Sequence, residues 1–132
     1  MQIVTRAYNP ETDKSFIYST WLKGLFYGNS YFGSIDKAVY FDRYERVLDH
    51  ILNKPGTEVR IAGLSDDADT ILGYLVIEGP TVHWVHVKTG WRRQGIAKLL
   101  IGGSVLSSVS HTTPAGNAIR TKLKLGHNPF TI

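Results

Sequence analysis

Arg92-Arg-Gln-Gly-Ile-Ala-Lys98 sets three cations around a glycine, where a β-branched run gives way to an apolar helical pattern. The chemistry this spacing offers is anion binding. The first N–H groups of a helix have no intrahelical partner, and the helix dipole favours negative charge beside them. Gly95 lets a phosphate approach the backbone with no Cβ in the way. Backbone groups from Gln94 through Gly95, Ile96, Ala97 and Lys98 are therefore the candidate cradle, supported by the Arg92 and Arg93 side chains. No G-x-x-x-x-G-K-[ST] or G-x-G-x-x-G run occurs in the chain, which excludes a P-loop and a dinucleotide fingerprint.

The elements that must position this cradle are a strand over 81–87, a turn over 88–91 and a helix over 94–105, the last weakened by Gly102-Gly103. Alternation along a strand places Thr81, His83, Val85 and Val87 on one face and Val82, Trp84 and His86 on the other. His83 is the titratable side chain on the first of these faces. Its unperturbed pKa near ~6.5 suits a group that takes up protons near neutrality.

Upstream, Ile3–Ala7 reads as a strand, followed by turn and cap chemistry in Asn9-Pro-Glu-Thr12 and a helix over 13–25. A second helix is expected over 35–53, ended by Pro55-Gly56. Between the helices lies Phe26-Tyr-Gly-Asn-Ser-Tyr-Phe-Gly33. Its rings either wall a pocket for a flat substrate, with Tyr27 and Tyr31 as contacts, or pack under the loop. Strands over 58–64 and 71–78 flank an acidic loop, and a strand over 107–112 and a helix over 115–125 follow the anion cradle. The order β-α-α-β-β-β-α-β-α implies one α+β domain over residues 1–132.

The chain has 132 residues, 42% hydrophobic and 20% charged, which places it in the globular range. With no cysteine it has neither disulfides nor thiol chemistry. The histidines and acids have no metal-ligand spacing, so no metal is expected. Ser110-His111 has no following acid to orient the histidine, which argues against a hydrolase. No apolar run approaches the ~20 residues of a membrane span, and the first residues lack a signal peptide's apolar core, so a soluble cytoplasmic protein is expected. All 11 acids and eight of the 15 Lys/Arg fall in residues 1–78. The other seven cations, Lys88, Arg92, Arg93, Lys98, Arg120, Lys122 and Lys124, share residues 79–132 with no acid. An acidic ligand or partner is implied there, and either a polyphosphorylated coenzyme or a nucleic acid would answer the charge.

Arg92-x-x-Gly95-x-Ala97, after a strand ending at Val87 and with an aromatic at Trp91, resembles the coenzyme-binding motif of the GNAT N-acetyltransferase superfamily. The resemblance covers roughly residues 1–126 and implies a mixed central sheet with helices on both faces, lacking the family's C-terminal hairpin. An acceptor site left open, or completed by another chain as in a dimer, is the expectation that follows. The resemblance implies acetyl-coenzyme A as cofactor and an amine as acceptor. Its pyrophosphate would lie on 94–98 with Arg92 and Arg93, and its pantetheine arm along the main chain of Val85 and Val87. The family's usual glutamate base has no counterpart on the 81–87 strand, where His83 stands as the candidate base instead. The tyrosine that usually serves as general acid is replaced by Lys122. A weaker likeness to short phage-encoded GNAT-like proteins rests on Trp21-Leu-Lys23, Val87-Lys88, Arg92-x-x-Gly-Ile-Ala97, His111-Thr112 and Asn128-Pro-Phe130. The alternative reading is thus a DNA-modifying or nucleic-acid-binding protein on the same fold.

Overall fold

The computed structural model describes residues 2–132, the side chains of residues 114 and 115 apart. Among the described residues six strands form one sheet in sequence order. They are β1 Ile3–Ala7, β2 Thr57–Leu64, β3 Gly73–Glu78, β4 Thr81–Val87, β5 Ser108–Val109 and β6 Gly126–His127. β1 to β4 are antiparallel, whereas β4–β5 and β5–β6 are parallel, so the sheet is mixed.

Helices cover both faces. α1 (Pro10–Gly28) and α3 (Lys37–Leu52) bury Ile17, Trp21, Leu25, Leu48 and Ile51 against Ile61, Tyr74 and Val76. The short α2 (Ser30–Gly33) joins them. On the other face α4 (Ile96–Ile101) sets Ile96 and Leu100 against Ala62, Leu75, Ile77 and Val82. α5 (Pro114–Lys122) is followed by Leu125, which closes that second core.

α1 begins three residues before the expected start, because Asn9 accepts the Glu11 N–H and Pro10 occupies the first turn. Its first turn is tied to the sheet by Asp13, which is 1% exposed. Both Asp13 oxygens accept from Arg6 at 2.8 Å, and the Asn9 N–H adds a third bond. α4 is shorter than expected and stops at Ile101, since Gly102 takes φ 56°. Arg60 of β2 then donates to the Leu100 and Ile101 carbonyls and to Ser104 Oγ, completing the C-terminus of α4. β5 has shrunk from the expected six residues to Ser108–Val109.

Strict alternation along β4 does not hold. Val76 pairs with Trp84 but Ile77 pairs with Val82, which leaves His83 as an extra residue in a β-bulge. Val82 therefore joins Val85 and Val87 on the α4 side, three residues from Val85 rather than on the opposite face. Trp84 remains on the α1 side, stacked on Trp21 at 5.6 Å.

Candidate active site

β4 and β5 pair only at Thr81–Ser108 and Val82–Val109, and then part. The Lys88 N–H bonds to the Leu72 carbonyl on the β3 side. Alternation then turns the main-chain groups of Val85 and Val87 toward the edge that β5 has left. A cleft of about 40 Å³ opens there. It is lined by Val85, Ile101, Asn117 and Arg120, with His83 and His111 also at its surface. Val85 and Val87 thus present main-chain groups along this edge. The Val87 carbonyl, however, already accepts a hydrogen bond from Arg92 Nε at 3.1 Å. Arg92 consequently lies along the strand edge rather than standing free in the turn.

The turn after β4 is built from left-handed residues. Gly90 has φ 93°, Arg93 φ 64° and Gly95 φ 79°. A Cβ on Gly95 would meet no atom within 4 Å, so the space outside the turn is open to a ligand. Gly95 caps α4, and its carbonyl accepts from the Leu99 N–H; the N–H groups of Ile96, Ala97 and Lys98 precede the first intrahelical bond. Arg93, Gln94 and Lys98 are exposed. Ile96 contributes only main chain, because its side chain is 2% exposed in the α4 core. These residues fit a polyanionic group of the phosphate type.

His83 is 1% exposed and both ring nitrogens are engaged. Nε2 lies 2.8 Å from Glu78 Oε1 and Nδ1 lies 2.7 Å from Ser110 Oγ. Ser110 Oγ also meets His111 Nδ1 at 2.8 Å, and His111 Nε2 bonds the Tyr44 hydroxyl. At the other end Lys54 Nζ stands 3.0 Å from Glu78 Oε2. The histidine's strand carries no acid, and Glu78, five residues before His83, supplies one across the β3–β4 hairpin.

The electrostatics agree with this geometry. The hydrogen bond from His83, with Lys54 beside it, holds the Glu78 carboxyl below its ordinary range. Burial pushes His83 below the usual histidine value, outweighing the attraction of Glu78. The pair is therefore a neutral imidazole donating to a carboxylate, not an ion pair. His111, edge-on to Trp21 and Trp84, is pushed down by burial to about 3.

Tyr27 and Tyr31 are not brought to this cleft. They are 67% and 70% exposed, and Tyr27 lines a shallow depression with Phe26, Asn29 and Gly33. Phe26 and Phe32 turn inward and pack on Tyr40. Phe26 and Phe32 thus pack under the loop, whereas Tyr27 and Tyr31 do not. Asn29 Nδ2 donates to the Thr112 carbonyl, which ties the segment to the residues after β5. His86 points away from the cleft, between Phe16 and Tyr74. Lys122 is exposed at the end of α5. Among the described residues no cluster of three or more His, Asp or Glu could hold a metal, and no helix is long and apolar enough to cross a membrane.

No protein-family model and no curated protein matches the chain. Solved structures do match its fold. A putative acetyl transferase from Pyrococcus furiosus superposes with a TM-score of 0.68 at 13% identity, covering 92% of this chain and 91% of the other. AAC(6')-Iy in complex with the bisubstrate analog CoA-S-monomethyl-acetylneamine gives a TM-score of 0.54 at 15% identity, covering 95% and 91%. A GCN5-related N-acetyltransferase from Rhodopseudomonas palustris gives 0.51 at 14% identity, covering 94% and 67%. The chain thus has the GNAT-like α+β fold.

Proposed function

We propose that this protein is an acetyl-coenzyme A-dependent N-acetyltransferase acting on an amine. The observation that carries the reading is the parting of β4 from β5 beyond Val82, with the left-handed, cation-bearing turn of Arg92–Lys98 following on the same strand. The turn's N–H groups with Arg93 and Lys98 would hold the pyrophosphate, and the freed edge of Val85 and Val87 would hold the pantetheine arm. Arg120, at the cleft wall, adds a further cation. Fold likeness to acetyltransferases, one of them solved with a coenzyme A conjugate, supports the reading.

Bound acetyl-coenzyme A supplies an acetyl group activated as a thioester. The chain's own residues orient the acceptor, exclude water and remove the amine's proton. His83 is the base of this reading. Because its ring is enclosed, it takes up that proton through Ser110 rather than by touching the substrate.

The test is release of free coenzyme A thiol when the protein is mixed with acetyl-coenzyme A and a panel of small and aromatic amines. Turnover with at least one amine is expected, reduced by ~10²-fold or more in His83→Ala, the scale for removing a general base. Absence of turnover with every amine, or full activity of the folded variant, would overturn it.

A further inference from the structure

The buried polar groups beside the cleft form one chain of hydrogen bonds whose sense is set from a single end. An ionised carboxylate can only accept, so His83 must carry its proton on Nε2 to reach Glu78 Oε1 at 2.8 Å. Its Nδ1 is then an acceptor, and the Ser110 hydroxyl at 2.7 Å must donate to it. The Ser110 oxygen in turn accepts from His111 Nδ1–H at 2.8 Å. This leaves His111 Nε2 to accept from the Tyr44 hydroxyl. Every donor points the same way, and no member needs a charged histidine.

The chain crosses the molecule from one element to another. Tyr44 belongs to α3 and packs edge-on against Phe32 of α2. Ser110 and His111 follow β5, and His83 is the bulged residue of β4. Glu78 ends β3, where its side chain is 24% exposed and can exchange protons with water. Lys54, 27% exposed, is the charged partner of that carboxylate among the described residues. Such a network, laid among Trp21 and Trp84, is costly unless every member is satisfied.

We propose that Tyr44, His111, Ser110 and His83 form a directional proton relay that ends on Glu78, making Glu78 the proton sink of the reaction. This rests on the acetyltransferase reading. The acceptor nitrogen gives one proton to the Tyr44 oxygen, while the Tyr44 hydroxyl proton passes to His111 Nε2. The Nδ1 proton of His111 moves to Ser110, the Ser110 proton to His83 Nδ1, and the Nε2 proton of His83 to Glu78. The amine has lost one proton and Glu78 has become a carboxylic acid, which releases it to water. No other residue changes charge. Ser110, His83 and Glu78 never touch the substrate and act as relay residues.

Two measurements on the full-length protein decide this. Long-range proton–nitrogen NMR of the imidazoles at pH 7 should find His83 neutral and protonated on Nε2, and His111 neutral and protonated on Nδ1. The opposite tautomer at either ring, or a cationic His83, would overturn the relay with no substrate needed. In the thiol-release assay, Glu78→Gln and Ser110→Ala should each lower kcat by ~10²-fold with the KM for acetyl-coenzyme A unchanged. Glu78→Asp should recover part of that loss. Variants that fold, bind acetyl-coenzyme A and turn over within twofold of wild type would overturn it. A wild type that binds no acetyl-coenzyme A would instead defeat the acetyltransferase reading, and the relay's purpose with it.

Discussion

A Cβ placed on Gly24 would lie 2.9 Å from Cζ2 of Trp84. That close approach lets α1 settle onto the sheet where Trp84 stacks, 14° from parallel, on Trp21. The indole cannot swing aside without breaking the stack, and it lies next to the bulge that turns His83 toward Glu78.

Gly24→Ala is therefore expected to destabilise the protein. Helix propensity alone would favour alanine by about 1 kcal/mol. Overpacking against a pinned indole costs about 1–3 kcal/mol and should win by about 1 kcal/mol. A urea midpoint for Gly24→Ala above that of the wild type would contradict the packing.

His86 acts through stability rather than chemistry. Burial, aided by Arg92 and Lys88, lowers its pKa from 6.5 to about 4. The unfolded chain therefore binds the proton more readily, so stability is full above pH 6.5 and is lost as pH falls toward 4. Replacing His86 by Phe should remove about 1–2 kcal/mol from the loss of stability between pH 7 and pH 5. His111, lowered further, would account for part of the remainder. Denaturant titrations at the two pH values compare the drops, and identical drops would show that His86 is not held neutral.

Much of the fold is legible in the residues. β1 and β4 coincide with their expected bounds, β4 because a β-branched run is closed by turns at both ends. α4 is over-read because apolar periodicity continues past Gly102-Gly103, and the helix stops where Gly102 turns left-handed. The bulge at His83 has no local mark, neither glycine nor proline, and arises from pairing with β3. For the same reason Ser110, His111 and Tyr44 cannot be joined to His83 by spacing. Ser110 lies 27 residues from His83, and Tyr44 lies 67 from His111. Glu78 is the exception: an acid five residues upstream across a Gly-Pro turn is a signal of hairpin proximity.

The seven cations of residues 79–132 would answer either a coenzyme or a nucleic acid, and salt dependence separates the two. If they serve one coenzyme, duplex DNA should bind weakly and be released by roughly 0.15 M salt. Mobility-shift titrations across ionic strength measure this. Tight binding at that salt, with a steep salt slope, would favour the nucleic-acid reading instead.

Coenzyme binding is measured most directly by calorimetric titration of acetyl-coenzyme A into the wild type, Gly95→Ala and Gly95→Glu. Any side chain at φ 79° costs about 1–2 kcal/mol of backbone strain, which the alanine variant isolates. The glutamate adds a negative charge and side-chain bulk in the space beside the turn. The wild type should bind one equivalent, the alanine variant more weakly, and the folded glutamate variant not at all. No binding by the wild type, or unchanged affinity in Gly95→Glu, would contradict the account.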